Sequence, residues 1–297
     1  MVDQAAKLRQ LVEGDAIKTK GAGLFGEDDK NTRIIAVTSG KGGVGKTNLT
    51  VNLAIALKEE GQRVLVIDAD LGMANVDVVL GSLSRYHLLH LLDPDISLKD
   101  VLINGPYGIN YISGGSGIEK AKDFTPDERE MLMGKLAGCS EIADIILIDT
   151  GAGLGQNVMS FILAADEVLL VTTPEPTALT DAYAVMKAYS LHASNKNLKV
   201  VVNRVYDESE SEDVITKLDQ TSKKFLKMPI TSAGYIFEDR KVSGAVRKQK
   251  PFMATEPDSL ASKCVKAMAS SLLYGEQIRV KRGWRGFLNQ IFNFSRK

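Results

Sequence analysis

The sequence predicts a doubly wound α/β fold, in which a mostly parallel sheet is flanked by helices. From residue 33 onward, short and nearly continuous apolar runs alternate with longer helical patterns. Parallel strands that are covered on both faces have this unbroken apolar character. In addition, the first apolar run leads through a glycine-rich loop directly into a helical pattern. These two observations predict one α/β domain over 33–277, between an N-terminal segment (1–32) and a C-terminal segment (278–297).

Each predicted element follows from its pattern of apolar residues. The predicted strands are 33–39, 63–68, 109–113, 145–149, 167–172 and 198–203, with a weaker one at 233–237. The predicted helices are 46–60, 126–136, 156–164, 177–191, 212–225 and 257–274. Residues 13–32 lack periodicity and are rich in glycine and charge, which predicts a tether. Residues 83–108 hold short apolar turns that fit either core packing or a partner surface.

Composition narrows the class of protein. The chain has 297 residues, 44% of them hydrophobic and 25% charged, and its formal net charge is zero. A balanced charge argues against nucleic acid as a general partner. The two cysteines, Cys139 and Cys264, are far apart, which excludes a disulfide framework and the clustered cysteines of an iron–sulfur carrier. With no secretory signal and no apolar run of about 18–20 residues, we expect a cytoplasmic protein.

The glycine-rich loop has the pattern of a phosphate cradle. It contains G-x-x-x-x-G-K-T, formed by Gly40, Lys41, Gly42, Gly43, Val44, Gly45, Lys46 and Thr47. Glycines let backbone N–H groups converge on an anion, and the following helix adds its positive N-terminal end. Lys46 is therefore expected to contact the β- and γ-phosphates of a nucleotide, and the Thr47 hydroxyl to hold Mg²⁺.

Three acids end predicted strands on the side where ligands bind in open α/β sheets. Asp149 ends the run IILID and is expected to hold Mg²⁺, directly or through water; the alternative is that it caps the next helix. Asp68 and Asp70 point to the same side of an extended chain. We assign Asp68 to the metal and Asp70 to the attacking water. The alternative for this pair is an acid pair satisfied by loop amides.

Lys41 lies five positions before Lys46 in the same loop. If the loop wraps the phosphates, the two lysines are not both able to reach one γ-phosphate from the same side. Lys41 would then be presented to a second subunit, as an arginine finger is supplied in trans. On spacing alone, a solvated lysine is an equal alternative.

The loop GKGGVGKT resembles the deviant Walker A motif of the ParA/MinD ATPases. The acids at 68 and 70, IILIDTGAG at 145–153 and VVNRV at 201–205 are similar to that family's second acidic motif, Walker B stretch and adenine-contacting segment. The resemblance implies a P-loop fold, slow hydrolysis of ATP with Mg²⁺, and a face-to-face homodimer in which Lys41 reaches the second nucleotide. It also implies ATP-site roles for Asn48, Asn203, Arg204, Phe237 and Glu238.

The N-terminus resembles one branch of that family. DQAAKLR at 3–9 is similar to a segment of the flagellar MinD-like ATPases known as FlhG, YlxH or FleN. The resemblance implies control of flagellum placement and number, and stimulation of the signal-recognition-type GTPase FlhF through Gln4, Leu8 and Arg9. The sequence leaves open whether switch-ring proteins or a transcription regulator are further partners. On pattern alone, the segment equally fits a terminus without a function.

The C-terminal segment combines basic and apolar residues at helical spacing. An apolar arc holds Trp284, Phe287, Leu288, Ile291 and Phe292, and basic residues lie mostly outside it. This pattern is typical of a helix that lies in the surface of an anionic membrane, and it predicts reversible binding to the inner face of the cell membrane. Docking onto the protein's own core or into a partner's groove are the alternatives.

Two other functions compete. A division-site regulator of the MinD type fits the core, but the segment before the first strand does not fit it. A ParA-type DNA-partition ATPase would need a basic face, and one candidate cluster is Arg240, Lys241, Arg247, Lys248 and Lys250. Such a cluster is usually a solvated helix face.

Overall fold

In the computed structural model, the chain forms one sheet of eight strands. The structure describes residues 32–70, 74–115, 125–193, 197–275 and 283–294. The strands are β1 (Arg33–Ser39), β2 (Val64–Ala69), β3 (Ile103–Asn104), β4 (Asn110–Ile112), β5 (Ile145–Ala152), β6 (Glu167–Thr172), β7 (Leu198–Val205) and β8 (Thr231–Phe237).

The strand order confirms the doubly wound topology. It is β3-β4-β2-β5-β1-β6-β7-β8, with β1 between β5 and β6. Every pairing is parallel except that of β3 with β4, which is antiparallel. The carboxyl ends of β1, β2 and β5 therefore lie side by side at one edge of the sheet, where an α/β fold places its ligand.

Twelve α-helices connect or follow the strands within the described ranges. They are α1 (Lys46–Glu59), α2 (Val76–Leu80), α3 (Leu98–Val101), α4 (Pro126–Ala137), α5 (Cys139–Ile142), α6 (Gln156–Ala164), α7 (Pro176–His192), α8 (Glu208–Leu226), α9 (Arg240–Arg247), α10 (Phe252–Thr255), α11 (Leu260–Tyr274) and α12 (Gly283–Phe294).

The helices form two layers around the sheet. α1, α9, α10 and α11 pack on one face, over a core that includes Leu53, Val66 and Val265. The other face is covered by α4, α6, α7, α8 and α12, over a core that includes Ile146 and Val200. Residues in the central strands are buried on both faces, which explains why their sequences are unbroken apolar runs.

Three differences from the predicted elements have local causes. The edge strand β3 has only two residues, too few for a periodic signal. Helix α8 begins at Glu208 rather than at 212, because the Asp207 side chain accepts the backbone N–H of Glu210 at 2.9 Å and caps the helix there. Helix α11 begins at Leu260 rather than at 257, since Ser259 is its N-cap.

A buried ion cluster fixes the start of β1. The Arg33 side chain donates to Glu167 on β6 and to the carbonyl of Leu272 on α11. Lys199 on β7 lies 3.1 Å from the second oxygen of Glu167. The Arg33 and Glu167 side chains are only 4% and 3% exposed, so both charges depend on one another for compensation.

The C-terminal helix α12 is docked on the protein's own core. Trp284, Phe287 and Leu288 are buried among residues of α4 and α6. The Trp284 indole donates to the Leu136 carbonyl, and its ring stacks on Phe287 with centroids 5.0 Å apart. In this conformation the docking alternative describes these side chains, and their contact with a membrane stays a prediction.

Parts of the predicted C-terminal segment lie outside the described residues. These are 278–282, 295–297 and, among the residues predicted to contact the membrane, the side chain of Phe292. Ile291 is half-buried against the core. Across the described ranges, no helix has both the length and the apolar character needed to cross a bilayer.

Candidate functional site

The phosphate loop lies at the carboxyl end of the central strand, between β1 and α1. Two of its glycines are required by geometry. Gly45 has a φ of 100°, and a Cβ there would lie 2.3 Å from Nδ2 of Asn203. A Cβ on Gly40 would lie 2.3 Å from the main chain of Asp181 on α7. The main chain of Asp181 therefore excludes a side chain at position 40, and a side chain at position 45 would force Asn203 to shift.

Thr47 and Asp149 meet at the first turn of α1. The Thr47 hydroxyl donates to Oδ2 of Asp149 at 2.6 Å, and Thr50 donates to Oδ1 at 3.1 Å. Asp149 is 1% exposed, so its carboxylate lies inside the site rather than at a helix terminus in solvent. The two residues predicted to share Mg²⁺ are therefore in contact, and the helix-cap alternative for Asp149 does not describe its position.

Asp68 is fully buried and holds the loop that follows β2. Its Oδ1 accepts the N–H of Asp70 at 3.0 Å, and its Oδ2 accepts the N–H groups of Asn75 and Val76 at 2.8 and 3.1 Å. For Asp68, these contacts agree with the alternative given above, in which backbone amides of the loop satisfy the carboxylate. Asp68 therefore orients the Asp70 loop, and its direct contact with a metal remains a prediction.

Asp70 reaches the centre of the site. A Cβ built on Gly151 would lie 3.6 Å from Oδ1 of Asp70, so this carboxylate packs beside the loop after β5. Its negative charge is one of the groups that raise the pKa of Asp149. The position suits a group that orients water beside a phosphate, as predicted from the sequence.

The electrostatics of the two buried acids fit a divalent cation. Burial, and then the charge of Asp149, raise the pKa of Asp68 to about 7. Burial also raises the pKa of Asp149 to about 6, although Thr47, Lys46 and Thr50 act in the opposite direction. Two adjacent carboxylates that ionise reluctantly are stabilised by a cation, and Mg²⁺ prefers oxygen ligands such as these. Mg²⁺ supplies neutralisation of phosphate charge, and Thr47 with Asp149 would hold it.

Lys41 is held by the helix after β6. Its Nζ lies 3.1 Å from Oε2 of Glu175 and 2.9 Å from Oγ1 of Thr177. The Lys41 side chain is 40% exposed and that of Glu175 is 59% exposed. The lysine is thus neither free in solvent nor directed at the Thr47–Asp149 pair, and it lies at the accessible surface of the site.

A pocket of about 420 Å³ lies beside the phosphate loop and suits a nucleoside. It is lined by the sequence-predicted Asn48, Asn203, Arg204, Phe237 and Glu238. The amide of Asn203 donates to the Val44 carbonyl at 2.8 Å, and Arg204 donates to the Gly43 carbonyl at 3.2 Å. The segment expected at the adenine thus also braces the phosphate loop.

Sequence reasoning missed one wall of this pocket. Helix α9 contributes Val242, Ser243 and its last residue, Arg247, and Phe252 follows on α10. Arg247 belongs to the basic cluster that the sequence indicated only as a solvated face or a DNA-binding surface. The signal that could have revealed this wall is its place in the chain, directly after the Phe237–Glu238 loop. The predicted partner-binding residues Gln4, Leu8 and Arg9 lie outside the described residues.

Comparisons with known proteins agree with this site. Residues 32–202 match the family described as AAA domain. The chain is 39% identical over 240 residues to the antiactivator FleN of Pseudomonas aeruginosa, covering 81% of this chain and 86% of FleN. It is 32% identical to the flagellum site-determining protein YlxH of Helicobacter pylori, covering 99% of each chain.

A solved structure shares the fold. The septum site-determining protein MinD of Pyrococcus horikoshii, complexed with Mg-ADP, superposes with a TM-score of 0.66 and 30% identity, covering 83% of this chain and all of that one. The phosphate loop, the Thr47–Asp149 pair and these relatives lead to one conclusion. The chain belongs to the ParA/MinD-type ATPases of the AAA domain family, in the group that includes FleN and YlxH.

Proposed function

We propose that this protein is an ATP-driven switch that pairs with a second copy of itself and regulates the placement and number of flagella. The position of Lys41 carries this proposal. Its ammonium is held at an accessible rim of the nucleotide site by a weak contact with Glu175, from which it can be released toward a facing nucleotide. The names of the relatives FleN and YlxH support the flagellar role.

Within this proposal, each site residue has one task. The amides of the loop 40–45 and Lys46 bind the phosphates, and Thr47 with Asp149 hold Mg²⁺. Asp70 orients the attacking water, and Asp68 holds the Asp70 loop by accepting its N–H. Lys41 of the second copy neutralises charge on the transferred phosphoryl group, so hydrolysis would follow pairing and then dissolve the dimer.

We further propose that α12 exchanges between its groove and an anionic membrane. The support is its composition: an apolar side with Trp284, Phe287 and Leu288, and the basic residues Lys281 and Arg282 nearby in sequence. Burial of each large apolar side chain is worth roughly 1.5–3 kcal/mol, so the groove and the bilayer compete for the same surface. A dimer carries two such helices, and the second binds at a high effective concentration. Membrane binding is therefore expected to need the ATP dimer, while the monomer stays in the cytoplasm.

The partner of the N-terminal segment is proposed to be the flagellar GTPase FlhF. The support is the DQAAKLR segment with Gln4, Leu8 and Arg9, together with the match to YlxH along nearly the whole chain. Peptide 1–20 is expected to accelerate GTP hydrolysis by FlhF, and an Arg9→Ala peptide is expected not to. A flagellar switch-ring protein or a transcription regulator are further candidate partners.

A MinD-type role in division-site selection is the second candidate, because the solved MinD structures share the fold at 28–30% identity. Full activity of FlhF without any response to peptide 1–20 would favour this candidate. DNA partition has less support, because Arg247 of the basic cluster lines the nucleotide pocket.

Light scattering in ATP and Mg²⁺ tests the switch directly. Wild type is expected to form a dimer in ATP and a monomer in ADP. Asp70→Ala should accumulate as an ATP dimer because hydrolysis is lost, whereas Lys41→Ala should remain monomeric. Liposome sedimentation with the same variants tests the membrane step, and equal lipid binding in ADP and ATP would refute it.

A further inference from the structure

The carboxylate of Asp77 belongs to none of the motifs described above, and it joins two segments near the site. It lies in the first turn of α2 and is half-buried. Its Oδ2 accepts the hydroxyl of Ser113 at 2.6 Å, and its Oδ1 accepts the hydroxyl of Ser84, also at 2.6 Å. Ser113 directly follows β4, whereas Ser84 follows α2. Asp77 therefore connects α2 to the end of a strand.

The end of β4 supports the end of β2, where two acids of the site lie. The last residue of β4 pairs with the residue before Asp68 on β2, so Ser113 follows β4 at the level of Asp68. A Cβ built on Gly114 would lie 2.6 Å from the main-chain oxygen of Asp68 and 3.3 Å from that of Asp70. Ser113 itself is only 2% exposed. The segment bound by Asp77 is thus in close contact with the main chain of both acids.

Helix α2 contacts the same acids through its amides. Oδ2 of Asp68 accepts the N–H groups of Asn75 and Val76, the two residues before Asp77, and Oδ1 accepts the N–H of Asp70. Both oxygens belong to one planar carboxylate, so the direction of the α2 amides sets the position of the oxygen that holds Asp70. The hydrogen bond between α2 and β4 therefore closes a ring of contacts around Asp68.

We propose that Asp77 is a positioning residue for ATP hydrolysis, which acts on Asp70 through the amides that bind Asp68. This inference rests on the proposed role of Asp70 in orienting water. A displacement of a reacting group by about 1 Å can slow an enzymatic reaction by about a hundredfold. Within the described ranges, Asp77 neither lines the nucleoside pocket nor bonds to the phosphate loop. Binding of ATP is therefore expected to be independent of it.

Helix α2 does not depend on Asp77 for its place in the fold. Val76 and Leu80 are buried in the core, with exposures of 0% and 5%. At the other end of α2, a Cβ on Gly81 would lie 2.8 Å from the carbonyl oxygen of Gln249. Loss of the Asp77 contacts is therefore expected to loosen the amide end of α2 and to leave the fold in place.

Two serine variants separate the contact with β4 from the local stability of α2. Ser113→Ala removes the bond between Asp77 and the end of β4. It should lower kcat for ATP hydrolysis about tenfold and change KM by less than about twofold. Ser84→Ala is the matched control, because it removes a bond of equal length from the same carboxylate but leads only to the loop after α2. Its kcat should change by less than about twofold, and equal falls in both variants would overturn the proposal.

Variants of Asp77 itself separate hydrogen-bond geometry from charge. Asp77→Ala loses both hydroxyl contacts and should lower kcat at least about tenfold. Its ATP dimer, followed by light scattering, should last longer than that of the wild type, because pairing is intact while hydrolysis is slow. Asp77→Asn keeps both contacts, since a serine hydroxyl accepts as well as donates, and should retain kcat within about threefold. Loss of the ATP dimer in Asp77→Ala, or an equal fall of kcat in Asp77→Asn, would overturn the proposal.

Asp70→Ala in the same assays separates this inference from the proposed function. Adding Asp77→Ala to Asp70→Ala should not lower the residual rate further, because both changes act on one group. A further loss would overturn the inference. Slow hydrolysis in Asp70→Ala, with unchanged kcat in Ser113→Ala and Asp77→Ala, would overturn the inference alone. Hydrolysis at the wild-type rate in Asp70→Ala would overturn both the inference and the proposed role of Asp70.

Discussion

The ammonium of Lys41 lies 3.1 Å from Oε2 of Glu175, at the residue that caps α7. Both side chains are substantially exposed, and exposed ion pairs contribute about 0.2–1 kcal/mol. The ion pair with Glu175 is therefore weak enough for the Lys41 side chain to leave it. A nucleotide phosphate on a facing copy carries more negative charge than one carboxylate and would compete effectively for the same ammonium.

Glu175→Gln is expected to strengthen the ATP dimer by about two- to fivefold, because it removes an interaction that only the monomer needs. Sedimentation velocity over a concentration series in ATP measures this. Glu59→Gln is the matched control, since Glu59 forms a similarly exposed pair with Lys266 at 3.3 Å, away from the site. A weaker dimer in Glu175→Gln alone would mean that Glu175 also acts in the dimer.

Gly43→Ala and Gly45→Ala separate backbone strain from steric contact. Both glycines have positive φ, which costs alanine roughly 1–2 kcal/mol. A Cβ at 43 meets nothing within 4 Å, whereas one at 45 meets Asn203. Urea unfolding should therefore show about 1 kcal/mol lost in Gly43→Ala, and a further 1–3 kcal/mol in Gly45→Ala. Equal losses would mean that Asn203 moves aside freely.

The raised pKa values of Asp68 and Asp149 predict a pH dependence of stability without nucleotide and Mg²⁺. Their folded pKa values, about 7 and about 6, exceed the ordinary 3.8, so the folded state binds more protons between pH 4 and 7. The free energy of unfolding should therefore fall as pH rises through that window. Asp149→Asn should remove about 1.5 kcal/mol of the fall between pH 5 and pH 7.5, measured by urea unfolding at these two pH values. If the free energy of unfolding of Asp149→Asn depended on pH as that of the wild type does, the result would contradict a raised pKa of Asp149.

Glu167→Gln is expected to destabilise the fold by about 3–5 kcal/mol, because it leaves the buried Arg33 guanidinium without its counter-charge. Burial alone would raise the pKa of Glu167, but Arg33 and then Lys199 hold that pKa below its usual range. Glu256→Gln breaks a more exposed pair with Lys241 and should cost less than about 1 kcal/mol. Similar melting temperatures for the two variants would refute the structural role.

Trp284→Ala is expected to release α12 from its groove. Truncation of a buried tryptophan costs about 3–5 kcal/mol, and α12 can avoid this cost in part by leaving. Hydrogen exchange should then be faster across Gly283–Phe294 but unchanged in β1. Asn289→Ala, at an exposed position of the same helix, is the control and should leave exchange unchanged. Global destabilisation without local exchange would show that α12 is an inseparable part of the core.

The layout of the fold was predictable because most of its strands are buried on both faces. The bounds of β1, β6 and α6 agree with the predicted ranges, since each begins and ends where the apolar pattern changes. Strand β3 could not be predicted, because only its pairing with Asn110 and Tyr111 defines it. Helix α12 shows the same limit. Periodicity revealed its apolar side but not which surface covers that side.

The site was predictable where a motif specifies the backbone. The loop 40–47 and its contact with Asp149 follow from the strand–loop–helix pattern. The contact of Lys41 with Glu175 joins residues 134 positions apart, and it depends on β6 lying next to β1. The three amides on Asp68 likewise depend on the path of the loop after β2, and no residue type in that loop signals it.

The contact between Gly40 and the main chain of Asp181 has a mechanical consequence. A single Cβ added at Gly40 would already overlap the main chain of Asp181. The phosphate loop and the second turn of α7 are therefore in direct backbone contact, with no space between them. A displacement of either backbone by a few tenths of an ångström is transmitted to the other as in a rigid linkage. A protein that binds the outer side of α7 would thereby shift the phosphate loop. In the other direction, a nucleotide bound in the phosphate loop would change the tilt of α7.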